Sequence, residues 1–238
     1  MERDFEAIIR RVYQAVLKPG DVAVDIGAHV GDHTLPMARA VAPGGRVIAF
    51  EPVTPVRKEM KRRIAREPFY VSESVKVHDC AIGEHDEKRY FCLAVDALHN
   101  SGLRERIYDR PTRVERIKVR VRRLDALLEG IERLDYIKAD AEGGEYHAFL
   151  GARGLIRRCR PLASFEFGAD SIKEYGITSG DMARLWAELD YRLFDVNGRL
   201  LESEAMFVES AGRQEVWDYI AVPREDGARE RRVRSVLG

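Results

Sequence analysis

Glycines and carboxylates recur in this sequence where a chain can turn and face a ligand. Asp25-Ile26-Gly27-Ala28-His29-Val30-Gly31 follows directly on the apolar run from Val22. Glycines at Gly27 and Gly31 let the backbone turn sharply and lie close to a bound molecule. A dinucleotide site would use G-x-G-x-x-G, with a helix N-terminus facing the pyrophosphate. Here the spacing is G-x-x-x-G with Asp25 in front of it. An acid at that point is awkward for a diphosphate but suits a ligand with an ammonium group. S-adenosylmethionine has one, and its carboxylate can accept from backbone N–H groups of such a loop. Glu51 lies about 20 residues beyond the glycine loop, where an acid commonly accepts from both vicinal ribose hydroxyls. Asp79, Cys80, Ala81 and Ile82 follow the third apolar run. Asp79 could accept from an adenine amino group, with Cys80, Ala81 and Ile82 walling the ring.

A second group of acids comes later: Asp140, Glu142 and Glu145 in one cluster, then Glu166. Acids gathered at one pocket mouth repel one another and are costly unless they bind or move something. With a methyl donor in place, the chemistry is an in-line displacement, helped by positioning the nucleophile and removing its proton. Asp140 or Glu166 could be that base. Alternatively, Asp140 and Glu166 with a substrate hydroxyl could hold Mg²⁺, which would lower the hydroxyl pKa. Glu142 and Glu145 also suit a helix N-terminus, where the macrodipole favours acids. His99 and Asn100, in an irregular stretch, could reach an acceptor as base or orienting group. His29 and His33 are four apart, but no His-Glu-x-x-His pattern accompanies them, which disfavours zinc.

These residues need strands to hold them. Val22–Ile26, Arg46–Phe50, Val75–His78, Leu134–Ala139 and Leu162–Phe167 read as short buried strands separated by helices. That alternation predicts a parallel sheet covered on both faces, with ligands at the carboxyl ends of the strands. Helices are expected over about 33–41, 55–66 and 145–158, and after the Thr178/Asp181 capping box. The first segment places Phe5, Ile8, Ile9, Val12, Tyr13, Val16 and Leu17 on one helical face before Pro19-Gly20. It reads as a packing helix without chemistry. Strands over Tyr191–Val196 and Val216–Val222 suggest an antiparallel finish. Between about 86 and 123 the rhythm breaks, and alternation at Ile117, Val119 and Val121 indicates an insertion of antiparallel character. It is basic (Arg104, Arg106, Arg110, Arg113, Arg116, Lys118, Arg120, Arg122 and Arg123) and reads either as a solvated face or as a lid recognising an anionic acceptor.

The chain resembles the FkbM-type methyltransferases. The likeness runs through Asp25-Ile26-Gly27-Ala28, Gly31 and Thr34, then Phe50-Glu51-Pro52 and Cys80-Ala81-Ile82-Gly83. It continues through Ile137-Lys138-Ala139-Asp140 with Glu142, Gly143 and Glu145, then Leu150-Gly151-Ala152, and ends with Pro161 and Phe165-Glu166. It implies a class I, Rossmann-like α/β fold with a mostly parallel sheet, an antiparallel final strand and a small β-rich insertion. It also implies methyl transfer from S-adenosylmethionine, typically to a hydroxyl of a sugar or natural product. Thr34 joins the donor site by this resemblance. His29 departs from it, since the family usually carries Asn there; His adds a protonation-dependent charge.

The 238 residues are expected to form one domain over 1–223, with residues 1–19 as leading helix, about 86–123 as insertion or lid, and 224–238 as a loosely packed Arg-rich tail. Forty basic and forty acidic residues cancel, which disfavours nucleic acid as a partner and leaves a small hydroxylated molecule as the expected acceptor. Three widely spaced cysteines and a charged N-terminus without an apolar span suggest a cytoplasmic protein that engages no membrane. N-methylation, RNA or protein methylation, and a non-catalytic nucleotide- or adenosylmethionine-binding module stay open as alternatives. Nothing in the sequence fixes the oligomeric state.

Overall fold

Each of the short apolar runs becomes a strand, and the helices between them fold back to return the chain in parallel. The computed structural model describes residues 4–105, 111–168 and 171–238. Its strands are β1 (Val22–Ile26), β2 (Arg46–Phe50), β3 (Val75–His78), β4 (Ala81–Ile82), β5 (Glu87–Ala94), β6 (Val114–Arg122), β7 (Tyr136–Ala139), β8 (Leu162–Glu166), β9 (Tyr191–Asp195), β10 (Leu200–Leu201) and β11 (Asp218–Pro223). The helices are α1 (Phe5–Val16), α2 (Thr34–Val41), α3 (Thr54–Ile64), α4 (Phe69–Ser72), α5 (Leu124–Leu127), α6 (Glu145–Leu150), α7 (Arg153–Cys159), α8 (Ser179–Glu188), α9 (Glu204–Arg213) and α10 (Gly227–Leu237).

Eight strands form the main sheet in the order β10-β9-β11-β8-β7-β1-β2-β3. Pairs among β1, β2, β3, β7 and β8 are parallel, whereas β11 runs antiparallel to both β8 and β9. The winding reverses between β1 and β7, which opens a crevice at their carboxyl ends. On one face Phe165 stacks on Trp186 of α8 and meets Phe149 of α6 edge-on. On the other face Tyr13 of α1 packs edge-on against Tyr136 of β7, and α10 lies against α1.

The insertion forms a separate three-stranded sheet, ordered β4-β6-β5. Phe91, Val119 and Val121 turn its inner face onto Val53 and Val56 at the start of α3. Lys88 pairs with Arg120, Tyr90 with Lys118 and Cys92 with Arg116 on the opposite, outer face. Lys88, Arg116, Lys118 and Arg120 therefore point away from the inner face, while Arg89, the partner of Val119, lies on it. Arg106 and Arg110 lie outside the described residues.

Two expectations change. The helix over 145–158 is broken into α6 and α7 at Gly151, where a Cβ would stand 2.0 Å from the Gly83 carbonyl oxygen. The tail after Pro223 is ordered as α10, capped by Asp226, whose Oδ1 accepts from the Arg229 N–H at 2.9 Å. Val233 and Leu237 are its buried residues, and their i, i+4 spacing amid arginines is a weak signal in a short segment. The long interval before β11 also holds α9, for which the sequence pattern gave no expectation. No helix among the described residues is long and apolar enough to cross a membrane.

Packing of α10 is testable. Val233→Ala removes two buried methyl carbons and leaves a cavity, so urea unfolding should show a loss of about 2 kcal/mol. An unchanged midpoint would mean that α10 does not pack on the domain.

Candidate active site

The turn after β1 builds the crevice wall. Gly27 has φ +75°, and its N–H and that of Ala28 both donate to the Phe50 carbonyl, at 3.1 and 3.0 Å. A Cβ on Gly27 would fall 1.7 Å from the Asp140 carbonyl oxygen, so only glycine lets β1 and β7 leave the sheet this close together. His29 also takes a positive φ, of 48°, and its N–H donates to Glu51 Oε2 at 3.0 Å. Glu51 Oε1 accepts from the Val53 N–H at 2.7 Å. Burial lifts the Glu51 carboxyl to about 7 even though these two N–H groups pull the other way.

A cavity of about 650 Å³ lies over these residues. Asp25, Gly27, Ala28, His29 and Glu51 line it from the strand ends, and Ala81 and Ile82 line it from β4. His99 and Asn100, in a short 3-10 turn over Leu98–Asn100, close it from the insertion. Gly31 and Thr34 do not reach it. Thr34 is buried and donates to Asp25 Oδ2 at 2.5 Å, holding that carboxylate, while the Gly31 N–H closes the turn onto the Ala28 carbonyl. Asp79 and Cys80 are not brought to the cavity either. The chain pivots after β3 so that β4 can pair with β6, which turns Asp79 outward to Arg120 and buries Cys80 in the core.

The acids converge for a reason of register. Asp25 pairs with Lys138, Lys138 with Ser164, and Ser164 with Ile220, while Glu166 pairs with Asp218. Cross-strand partners project to the same face. Asp25, Lys138, Asp140, Glu166 and Asp218 therefore share the face that α1 covers. Lys138 Nζ donates to Asp140 Oδ2 at 3.0 Å and is itself buried. Burial opposes the Lys138 charge, yet Asp140, Asp25 and Glu6 together push its pKa above the usual lysine value. Burial would raise the Asp140 carboxyl too, but the Lys138 ammonium outweighs it and holds Asp140 below the ordinary range. Glu166, hydrogen-bonded to Asp140, is lifted well above its ordinary value by burial and by the Asp140 charge. The pair thus favours a single negative charge, which the Lys138 ammonium draws towards Asp140.

Asp140, Glu142 and Glu166 each offer an oxygen within 4.8 Å of the others. Glu142 lines the cavity, whereas Glu145 is buried with its Oε1 accepting from the N–H groups of Ala141 and Gly143, so it shapes the turn. Lys138 was quoted in the motif but given no role from sequence, and Glu6 and Arg10 of α1 with Trp217 also line the cavity. His33 caps no backbone group; it bonds Glu6, which draws the Glu6 carboxyl below its usual range, and lies 3.3 Å from the Tyr13 hydroxyl. The leading helix therefore brings charge to the site, and only the i, i+4 spacing of Glu6 and Arg10 on its polar side hinted at that.

Gly20 and Gly27 separate conformation from space. Both have positive φ, but nothing lies within 4 Å of a Cβ on Gly20. Gly20→Ala should cost about 1 kcal/mol in urea unfolding. Gly27→Ala should cost several times that, because a backbone carbonyl cannot swing aside. Equal costs would contradict the close approach of Asp140.

The family model described as the methyltransferase FkbM domain matches residues 25–193. The AMB antimetabolite synthetase AmbE of Pseudomonas aeruginosa is 28% identical over an alignment 179 residues long that covers 61% of this chain and 8% of that protein. Among solved structures, methyltransferase FkbM from Methylobacillus flagellatus KT is similar at TM-score 0.52 and 16% identity, over 92% of this chain and 55% of that one. An rRNA methylase from Streptococcus thermophilus is similar at TM-score 0.50 and 13% identity, over 93% and 96% of the two chains. SMU.1697c from Streptococcus mutans, described as a candidate methyltransferase and solved in complex with SAH, is similar at TM-score 0.51 and 9% identity, over 93% and 97%. These likenesses show a class I, Rossmann-like fold, and S-adenosylmethionine is the donor expected of it. With the sheet order, the cavity at its switch point and a family match over most of the sequence, the chain belongs to the FkbM family of methyltransferases.

Proposed function

We propose that the protein methylates a hydroxyl oxygen of a small molecule, a sugar or a natural product, with S-adenosylmethionine as donor. The donor fits what the cavity offers. Asp25 Oδ1 is buried without a hydrogen-bond partner in a carboxylate that lines the cavity, where an ammonium group would satisfy it. Glu51 offers its carboxyl to vicinal hydroxyls, and the N–H groups of the β1 turn lie beside both. Ala81 and Ile82 give an apolar wall for a purine, in place of the wider set read from sequence. When bound, S-adenosylmethionine supplies an electrophilic methyl carbon on a sulfonium.

The observation that carries the reading is the Asp140–Glu166 pair, which faces the same cavity as Asp25 and Glu51. Asp140 is ionised beside Lys138 and can accept the hydrogen of an acceptor hydroxyl. As the new C–O bond forms and the C–S bond breaks, the hydroxyl proton passes to the carboxyl pair, leaving both acids neutral. Lys138 keeps Asp140 in place and ionised until then. His99, on the opposite wall, orients the acceptor. This reading has no need of Mg²⁺, because the ammonium of Lys138 already supplies the positive charge that an ion between Asp140 and Glu166 would bring. An RNA substrate fits less well, since carboxylates at the reacting end repel a polyanion.

Incubation with S-adenosylmethionine and a panel of hydroxylated compounds, read by mass spectrometry, tests the proposal. Asp140→Asn, which removes the accepting carboxylate, should lower kcat by about 100-fold while leaving the dissociation constant for S-adenosylhomocysteine within about threefold. Glu51→Ala should raise that constant by about tenfold or more. Full turnover in Asp140→Asn would remove the acid pair from the chemistry, and unchanged binding in Glu51→Ala would remove Glu51 from the donor site.

A further inference from the structure

The cavity described above continues into a recess of about 960 Å³, and the two share Glu6, Glu166 and Trp217. Glu215 and Asp218 extend the carboxyl lining, and no lining residue of the recess is basic among the described residues. Asp4, also at its rim, already accepts from the Ala7 N–H as the cap of α1. Glu166 and Asp218 face each other as register partners on β8 and β11. Two carboxyl groups directly opposite across a strand pair resist ionising together unless a positive group lies between them. The Asp218 side chain makes no hydrogen bond or ion pair with any described residue. Protein surrounds its carboxyl closely enough to lift it to about 7, and its open side is the recess.

A second feature is aromatic. Trp217 stays 44% exposed although it sits at the junction of the two cavities. Phe5 holds it edge-on, with ring centroids 5.8 Å apart at 79°. A fixed indole face next to carboxylates is a setting for an organic cation, which gains from both the charge and the ring quadrupole.

We propose that this recess binds a cationic group of the acceptor, an ammonium or quaternary ammonium carried on the same molecule as the methylated hydroxyl. The proposal rests on the small-molecule methyltransferase reading and narrows its substrate class. It speaks against the lid alternative with an anionic acceptor, because none of the insertion's described arginines or lysines lines either cavity whereas acids do. A bare divalent ion would use the carboxylates but gain little from Trp217.

The test uses the full chain saturated with S-adenosylhomocysteine, whose binding is first measured by calorimetry. Choline and its uncharged carbon isostere 3,3-dimethylbutan-1-ol are then titrated. The readout is the indole N–H resonance of Trp217, assigned with Trp217→Phe. Choline should move that resonance saturably and bind about tenfold or more tighter than the isostere. Asp218→Asn should abolish the difference, and Glu215→Gln, at an exposed position, should reduce it if the first variant does not fold. Equal binding of the two probes, a Trp217 signal unmoved by choline, or choline binding indifferent to both substitutions would overturn the proposal. So would a response to MgCl₂ alone. Absence of S-adenosylhomocysteine binding would instead sink the methyltransferase site, and choline titration of the ligand-free chain would still read the recess.

Discussion

One buried ammonium organises the working end of this sheet. Lys138 lies between Asp25 and Asp140, with Glu6 close enough to feel its charge, and it is the main positive charge facing them from within the sheet. Without it, Asp25, Asp140 and Glu166 would crowd one low-dielectric corner with no positive charge from the sheet itself. Such an arrangement either takes up protons or opens. With it, Asp140 stays ionised, Glu166 keeps its proton, and α1 can close over the corner through Glu6 and His33. Cavity shape, charge state and the seating of the first helix thus depend on one side chain.

What could be read from the sequence follows from where it lies relative to strand ends. The glycine loop, Glu51, Asp140 and Glu166 each sit at or just past the carboxyl end of an apolar run, and parallel-sheet logic sends all such positions to one crevice. Lys138 was not assigned a role because it is inside a buried strand. There, period-two alternation gives its face only once the registers with β1 and β8 are known. Glu6 and Trp217 come from opposite ends of the chain, and no local pattern brings them together. Asp79 and Cys80 do not line the cavity, although they follow the third strand as closely as Ala81 and Ile82 do. The two-residue strand β4 turns the chain into a second sheet there, and of these four residues Ala81 and Ile82 line the cavity.

The insertion shows a similar limit. Its antiparallel character was legible in the alternation of Ile117, Val119 and Val121, and so was its basic composition. Which side faces the cavity was not, because a one-residue change of register inverts every side chain. The observed register puts Phe91 and Val121 inward and Lys88, Arg116 and Lys118 outward, so that acids and Trp217, not these basic residues, line the cavity. Family membership accounts for the fold and the methyltransferase class, while α1, β11 and the insertion bring Glu6, Trp217 and His99 to the cavity around that shared core.

The most direct test of this account is urea unfolding of the wild type and Lys138→Met at pH 5 and pH 8. In the wild type Asp140 has a depressed pKa, so its contribution is complete above the unfolded value of 3.8 and is lost only in stronger acid. Glu51, Glu145 and Asp218, lifted to about 7, act oppositely and cost stability as pH rises towards that value in both proteins. Removing the ammonium puts Asp140 with the raised group. Lys138→Met should therefore be less stable than the wild type by about 3–5 kcal/mol at pH 8, with the gap narrowing clearly at pH 5 as the acids take up protons. A variant as stable as the wild type at pH 8, or a gap that does not change with pH, would contradict the central place given to Lys138.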